Sequence, residues 1–337
     1  MLVGLIQSAP DIIFGRVTAF ILLLHPAQIV SLALCLLYCL WRLWAFNIRP
    51  LLRPHEPREY PYAIPFLGHG VAFFQNSNDL IEKALNYFGR THEPFTIQVG
   101  PERIYIVTNP QDVSEVYRKP DTLDWSGHLN TILTNFGCTD DFIRLGRTKP
   151  GEGNVPLIPN DPINPRQLPL IAFIEKTYHK QLMPGAQMTI MSEIFIRSLH
   201  ESTDPLRSSC FDLFKVKVPS GRTVLSLKKL CEYTLLHAGI DSFFGRELRQ
   251  IDPDLVEKMV VFNKHSWMLF YGLPTYFAEA VKVPQRSLMK TFEAFTKLPE
   301  HERQSQSWGV QQILIAQENV GVDLQSRAAI LLMILWA

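Results

Sequence analysis

The stretch PFTIQVGPERIYIVTNPQDVSEVYRKP, residues 94–120, indicates how the chain folds after its first apolar segment. It holds two runs rich in β-branched and aromatic residues, FTIQV at 95–99 and IYIVT at 104–108, on either side of Gly100-Pro101. Runs of this kind joined by a turn dipeptide predict a β-hairpin. The Asn-Pro that follows predicts a turn, and the next residues predict a short helix.

Just before this hairpin, SNDLIEKALNYFGR at 77–90 has the pattern of a capped helix. Ser77 or Asn78 is the predicted N-cap, and Gly89 is the predicted stop. The chain therefore enters the hairpin from a helix, with the small sheet near the start of its globular part.

Working towards the N-terminus, the apolar run Val17–Trp41 contains no charged residue. A membrane span needs about 20 apolar residues, so this run is long enough. Pro26 splits it, and proline is tolerated in the first turn of a helix. We therefore predict a transmembrane anchor at residues 26–46, with residues 1–25 on the lumenal side.

The charges around the anchor predict its orientation. On the N-terminal side the basic residue is Arg16, which Asp11 offsets, whereas several arginines follow the span. The positive-inside rule then places the body of the chain in the cytosol. A cleaved signal peptide would need a basic start and a small-residue cleavage site, and neither is present. A buried core helix is the remaining alternative. The basic residues after the span are Arg42, Arg49, Arg53 and Arg58.

Prolines recur every three to four residues after the anchor, in RPLLRPHEPREYPYAIPFLGHG. Because repeated proline opposes helix formation, residues 47–66 are predicted to be a stiff, extended, non-helical hinge. Residues 124–167 contain many turn formers and are predicted to be a long loop.

Beyond that loop the apolar spacing predicts a mainly α-helical body. SLKKLCEYTLLHAGIDSFFG predicts an amphipathic helix that ends at Gly245. The run LQSRAAILLMILWA ends at Ala337 and has only about ten uninterrupted apolar residues, which is too short to span a membrane. It is typical of a buried central helix, and its position at the end of the sequence leads us to expect a truncated chain. The other predicted helices are 168–180, 188–200, a segment within 252–272, one within 283–300, and 307–322.

Composition excludes several classes of function. The 337 residues carry a net charge of +1, so no overall basic field favours nucleic acid. The five cysteines lack the spacing of a zinc site or disulfide framework. No phosphate loop, HExxH or GxSxG motif is present, and the histidines are scattered singly. We predict no metal site formed by protein side chains alone.

The order of the segments resembles the N-terminal part of a microsomal cytochrome P450. PYAIPFLGHG, LIEKALNYFG and the hairpin segment follow the anchor in that family's order, and CEYTLLHAGIDSFFG is similar to its E helix. RAAILLMILWA is similar to the first half of its I helix, especially in the branch with prostacyclin synthase and the bile-acid hydroxylases. The resemblance implies the N-terminal portion of the cytochrome P450 fold behind one transmembrane helix, with residues 67–337 a partial domain that stops within the I helix.

This resemblance also implies a function. The family consists of haem-thiolate monooxygenases that bind haem b and receive electrons from NADPH-cytochrome reductase at the endoplasmic reticulum membrane. The substrate would be lipophilic: a steroid, a terpenoid or another secondary metabolite. Resemblance places haem-propionate contacts at Lys176, His179 and Lys180. The implied substrate contacts are Trp125, His128, Phe136, Trp336 and Ala337, with an apolar entrance at 267–277.

The family's diagnostic haem-binding FxxGxxxCxG segment is absent from this sequence. Two ExxR strings, Glu115–Arg118 and Glu300–Arg303, precede the I-helix segment and are interpreted as surface salt pairs. Cys138 lacks the family's flanking pattern and is interpreted as an inert thiol. We therefore expect this form to be inactive as an oxygenase. The alternatives are a catalytically dead, membrane-tethered protein that binds lipid or a partner, and an unrelated membrane-anchored helical enzyme.

Overall fold

A computed structural model of the protein describes residues 25–119, 122, 126–203, 214–216, 224–270 and 279–337. The chain forms two compact units, Met1–Asp124 and Trp125–Ala337. The described residues are mainly helical, with a small sheet and one apolar helix near the N-terminus, as the sequence predicts. Residues 1–24, which include most of the predicted lumenal segment, lie outside the described residues.

The first unit opens with helix α1, Pro26–Leu43. His25 caps it, and Pro26 occupies its first turn, as predicted. The helix continues through a π-helical turn, Trp44–Ile48, into α2, Arg49–Leu52. This stretch is long and apolar enough to cross a membrane, and α1 has no buried residue.

The prediction of a non-helical hinge is wrong for residues 47–52. Pro50 has no N–H, and in a regular α-helix its ring would collide with the carbonyl group of Phe46. A π-helical turn covers Phe46 and widens the backbone there, so the helix can continue past the proline.

The small sheet of this unit has three strands: β1, Arg58–Glu59; β2, Phe95–Val99; and β3, Glu102–Ile106. Strand β2 is central, antiparallel to β3 and parallel to β1. The predicted hairpin is confirmed, with β3 beginning two residues earlier than predicted because Val99 pairs with Glu102 across a two-residue turn. Strand β1 was not predicted, since two residues between prolines carry no periodic signal.

Helix α3, Gly70–Tyr87, packs against β2 and is kinked at Asn76, whose backbone is extended. The side-chain oxygen of Asn76 accepts a hydrogen bond from the backbone N–H of Asp79 at 3.2 Å. Asn76 therefore caps the second half of the helix, one residue before the predicted Ser77 or Asn78. Gly89 follows the helix at a positive φ of 71°, which confirms it as the stop. Helix α4, Pro110–Arg118, begins after the Asn109 cap as predicted.

The second unit is a bundle of helices. It also contains a two-stranded antiparallel ribbon in which Lys215–Val216 pairs with Val224–Leu225. The elements are α5, Ser126–Phe136; α6, Asp140–Arg147; α7, Leu170–Leu182; α8, Ala186–Thr203; β4, Lys215–Val216; β5, Val224–Leu225; α9, Leu227–Phe244; α10, Glu247–Ile251; α11, Leu255–His265; α12, Trp267–Phe270; α13, Glu279–Lys297; a 3₁₀ turn, Glu300–Glu302; α14, Trp308–Val320; and α15, Leu324–Trp336.

The predicted loop at 124–167 is wrong in its first half, because α5 and α6 lie there. Leu129, Ile132 and Phe136 recur at helical spacing and pack into the core. Their pattern is obscured by intervening Gly, Asn and Thr, which favour turns. Residues 148–169 form neither helix nor strand, as predicted.

Helix α15 is a central element of the core, as its apolar composition predicts. Ala328, Ala329, Leu331 and Leu332 are fully buried. It packs against α13, α5, α9 and α14, and Asp323 caps its start. Helix α9 begins at the Ser226 cap and stops before Gly245, as predicted.

Candidate functional site

Five aromatic side chains meet where α5, α11, α12 and α15 converge; we call them the aromatic cluster. The ring of Phe136 is fully buried, and its centroid lies 5.5 Å from that of Trp336 and 5.9 Å from that of Phe262. Phe270 lies 5.1 Å from Trp336 and 6.2 Å from His128. The cluster is His128, Phe136, Phe262, Phe270 and Trp336.

Three of the residues predicted to bind substrate therefore lie in one place: His128, Phe136 and Trp336. Ala337 directly follows Trp336, is exposed, and donates its backbone N–H to the carbonyl of Met333 at 2.9 Å. Trp125 lies outside the described residues, as does the predicted entrance beyond Phe270. Substrate contact by these residues stays a prediction.

The cluster also contains a buried hydrogen-bond donor. Nε1 of Trp336 is buried and has no acceptor among the residues that the structure describes. An indole N–H is a donor only, and leaving it unpaired away from water costs free energy.

Asn135 fixes α5 beside the cluster. Its side-chain nitrogen donates to the backbone carbonyl of Leu269 at 2.6 Å, and its backbone carbonyl accepts a hydrogen bond from Nε2 of Gln285 at 2.9 Å. Nζ of Lys282 lies 3.3 Å from the same carbonyl. Sequence reasoning missed Asn135, and its one signal was a polar residue next to Phe136 at the end of an apolar helical stripe.

The predicted haem-propionate residues lie on the exposed side of α7. Lys176, His179 and Lys180 are exposed, whereas Phe173 and Thr177 on the other side are buried. Nζ of Lys180 lies 4.8 Å from the ring centroid of Trp308, which is a cation–π contact. The structure thus places the three residues on one helix face, and no haem contact follows from that placement alone.

The cysteines decide whether the described residues fit a haem-thiolate centre. Cys138 is packed within the hydrophobic core, and burial raises the pKa of its thiol far above its ordinary value, so without a bound metal it is a neutral thiol. Cys35 and Cys39 lie on the apolar helix α1, and Cys231 is exposed on α9. A haem thiolate must be ionised and enclosed by protein. The described cysteines do not meet both conditions, and Cys210 lies outside the described residues.

The two ExxR strings do not form the predicted surface salt pairs. Glu115 pairs with Lys119 at 3.4 Å, and the Glu300 carboxylate accepts a hydrogen bond from Gln311 at 2.9 Å. Arg303 is buried, and its Nε and Nη1 atoms find no acceptor within the described ranges. Sequence alone did not reveal that this arginine faces inward.

A buried polar network joins α8 to α9. The Ser198 hydroxyl donates to Oδ2 of Asp241 at 2.6 Å and lies 3.2 Å from Nδ1 of His237. In a nucleophilic triad the carboxylate orients the histidine and the histidine takes the serine proton. Here the carboxylate binds the serine directly, and Ser198 is buried. The network therefore has the geometry of a structural tie between two helices.

Among the described residues, no three His, Cys, Asp or Glu side chains come close enough together to hold a metal ion. No protein-family model matches the chain.

The curated proteins similar to it include two cytochrome P450 monooxygenases. Over 301 residues the chain is 22% identical to cytochrome P450 monooxygenase efuG of Hormonema carpetanum, an alignment that covers 82% of this chain and 48% of that protein. Over 79 residues it is 29% identical to cytochrome P450 monooxygenase poxD of Penicillium oxalicum, covering 23% of this chain and 16% of that protein.

These similarities support a relationship to the cytochrome P450 monooxygenases, as the order of the segments suggested. The chain spans about half the length of the relative with the longer match. The activity, substrates and partners of a complete monooxygenase are therefore proposals for this chain.

Proposed function

We propose that this chain is the membrane-anchored N-terminal part of a haem-thiolate monooxygenase that oxidises a lipophilic substrate. The observation that carries the proposal is the similarity to efuG, which extends over 82% of the chain. The mainly helical fold with one apolar N-terminal helix agrees with it. We further propose that it belongs to the branch that includes prostacyclin synthase and the bile-acid hydroxylases, because RAAILLMILWA resembles the first half of the I helix in that branch.

The aromatic cluster would form one wall of the substrate pocket. Aromatic and aliphatic walls with few polar groups suit an apolar ligand, and the N–H of Trp336 would pair with one acceptor on it. A steroid, a terpenoid or a similar secondary metabolite that carries a keto or hydroxyl group is apolar and offers such an acceptor.

Haem b would activate oxygen in the complete enzyme, with electrons from NADPH-cytochrome reductase. The described residues do not supply its thiolate ligand, so no catalytic step is assigned to them. We propose that this form alone is inactive as an oxygenase.

The anchor would place the body at the cytosolic face of the endoplasmic reticulum, as a single-pass protein. Trp41 and Trp44 at the end of the apolar run suit the membrane interface, and Arg42 lies between them. Membrane lipid then gives access to both an apolar substrate and a reductase in the same bilayer.

Two measurements on the full chain in detergent micelles test the proposal. After incubation with haem and reduction, the carbon monoxide difference spectrum should lack a Soret band at the thiolate position. A clear thiolate band would overturn the proposed inactivity. Titration with an apolar keto steroid should quench tryptophan fluorescence, and Phe136→Ala should weaken that quenching more than Phe173→Ala, which removes a buried ring from α7.

A second candidate function is a non-catalytic, membrane-tethered protein that binds lipid. The described cysteines favour it, because none of them suits a haem thiolate and binding of lipid needs no haem. Sequencing the transcript beyond codon 337 separates the two. An in-frame segment with FxxGxxxCxG favours the monooxygenase, and a stop codon in every transcript favours the binding protein.

A further inference from the structure

The segment that joins α13 to α14 has a buried arginine in the wall of a polar cavity. Two cavities, of about 490 Å³ and about 270 Å³, lie along this segment. They share the lining residues Glu300, Arg303, Gln306 and Gln311, so we treat them as one space and call it the arginine cavity. Since all four shared side chains are polar, this space suits a polar ligand.

The backbone around the arginine cavity is held in place by the protein itself. The segment begins with the 3₁₀ turn, and the N–H of Arg303 donates to the carbonyl of Glu300 at 3.0 Å. At its other end, the N–H of Ser307 donates to the carbonyl of Phe243 on α9 at 2.8 Å. The wall of the cavity is therefore formed before any ligand arrives.

Two side chains in this wall have polar atoms without a partner. Arg303 is 7% exposed, and its Nε and Nη1 atoms have no acceptor among the described residues. Oε1 of Gln306 is likewise buried, and within the same ranges it has no donor. Buried polar atoms that stay unpaired cost free energy. A ligand that completes this wall must supply acceptors to the guanidinium and one donor to Gln306.

The carboxylates near Arg303 already have donors of their own. The Glu300 carboxylate accepts from Nε2 of Gln311 at 2.9 Å, and that of Glu318 pairs with Nη1 of Arg327 at 3.2 Å. The guanidinium remains the group whose charge has no close partner. Because two negative charges lie near it, a ligand with one negative charge is favoured over a ligand with two.

From this arrangement we infer that the arginine cavity binds a phosphate group that keeps one proton, either as the free ion or as a monoester. Its oxygens accept charge-assisted hydrogen bonds from Arg303. Its O–H group donates to Oε1 of Gln306. Sulfate offers oxygens but no donor, and it carries two charges. This inference is independent of the proposed oxidation and of the anchor.

Urea unfolding of the full chain in detergent micelles, followed by circular dichroism, tests the inference. The buffer is free of phosphate at about pH 6.5, where a substantial part of added phosphate is singly charged. Sodium phosphate, glycerol 3-phosphate and sodium sulfate are titrated separately, and sodium chloride keeps the ionic strength constant. The variants are Arg303→Met, Gln306→Leu and Arg144→Met. Arg144 is an exposed arginine that pairs with Asp141, so its variant controls for the loss of one positive charge.

We expect phosphate or its glycerol ester to raise the urea midpoint of the unaltered chain, with half of the rise by about 10 mM. The compound that acts at the lower concentration identifies the free ion or the ester as the better ligand. Sulfate should require an about fivefold higher concentration, the effect of one hydrogen bond. Arg303→Met should abolish the rise, and Gln306→Leu should remove the preference for phosphate over sulfate. Arg144→Met should keep both.

Three results would overturn the inference. The first is the absence of a rise with either phosphate compound. The second is an equal rise in Arg303→Met and in the unaltered chain, which would indicate a general effect of salt on stability. The third is equal action of phosphate and sulfate on the unaltered chain, which would show that no donor is required.

Discussion

Arg249 binds Asp241 through two hydrogen bonds, from Nε to Oδ1 at 2.8 Å and from Nη2 to Oδ2 at 3.0 Å. Asp241 is buried on α9, and the Ser198 hydroxyl of α8 donates to the same carboxylate. The guanidinium is therefore the counter-charge for a carboxylate that ties α8, α9 and α10 together. The expected role of this pair is in stability.

Arg249→Met should destabilise the protein by about 3 kcal/mol, because it leaves the Asp241 carboxylate buried without its counter-charge. Arg246 is the matched control: it pairs with Glu201 at 2.8 Å on the surface, where ion pairs contribute under about 1 kcal/mol. Urea unfolding of both variants in detergent, followed by circular dichroism, measures the difference. Equal losses for Arg249→Met and Arg246→Met would contradict the assigned role.

The same network makes stability depend on pH. Burial, together with the charge of Arg249, lowers the pKa of His237 below its ordinary value of about 6.5. As the pH falls, His237 of the unfolded chain is therefore protonated near pH 6.5, whereas His237 of the folded protein is protonated only at a lower pH. The free energy of unfolding should therefore fall as the pH drops from 7 through the folded pKa, and be restored on raising it.

His237→Gln should make that fall shallower, since the glutamine cannot titrate. It should not vanish, because burial also lowers the pKa of His69 in the first unit. Urea midpoints between pH 7 and pH 5 measure the effect, and identical profiles for His237→Gln and the unaltered chain would refute it.

Local signals in the sequence predicted those helices and strands whose ends are marked by capping or turn residues. Ser226 and Gly245 delimit α9, and the two-residue turn delimits the hairpin, because caps and turns act within a few residues. The π-helical turn before Pro50 was not predictable. Proline normally ends a helix, and here a rarer backbone geometry allows the helix to continue.

The candidate site was only partly predictable, for a different reason. Resemblance to a family pointed to Phe136 and Trp336, whose rings meet although most of the second unit separates them in sequence. Phe262 and the buried state of Arg303 depend on how distant helices pack, and no local pattern encodes that. Exposure of the α7 side chains likewise depends on which face meets α14.

Gly68 tests how closely the segment before α3 is held against strand β2, because it forms a β-bridge with Val99. A Cβ atom there would lie 2.3 Å from the carbonyl oxygen of Gln98, at a positive φ of 59°. Gly68→Ala should therefore cost well over 2 kcal/mol, from both the left-handed backbone and the backbone clash. Gly89 also has a positive φ, but a Cβ there would meet nothing within 4 Å.

Gly89→Ala is thus the matched control and should cost only the backbone penalty, about 1 kcal/mol. Thermal unfolding of the two variants separates conformational strain from steric exclusion. A loss at Gly68 no larger than the loss at Gly89 would show that β2 can move away and that the segment before α3 is not held tightly against it.

Arg303 is a buried charge whose removal should stabilise the protein, in contrast to the substitutions above, which should destabilise it. It is 7% exposed, burial lowers its pKa, and its Nε and Nη1 atoms lack acceptors among the described residues. Its guanidinium carbon lies 6.0 Å from the ring centroid of Phe295, which compensates only in part. Arg303→Met keeps an apolar stem of similar length and removes the desolvated charge, so it should stabilise the protein by about 1 kcal/mol.

Arg327 is the comparison, since its Nε donates to the carbonyl of Val322 at 2.8 Å and its Nη1 to Glu318 at 3.2 Å. Arg327→Met should destabilise by about 1 to 2 kcal/mol, because it removes these bonds. The two variants should change the free energy of unfolding in opposite directions, so a general effect of losing an arginine cannot explain both results. If Arg303→Met unfolds at as low a urea concentration as Arg327→Met, then Arg303 has a stabilising partner in solution, such as ordered water or an anion. Added phosphate that raises the midpoint of the unaltered chain, but not that of Arg303→Met, would identify that partner as an anion.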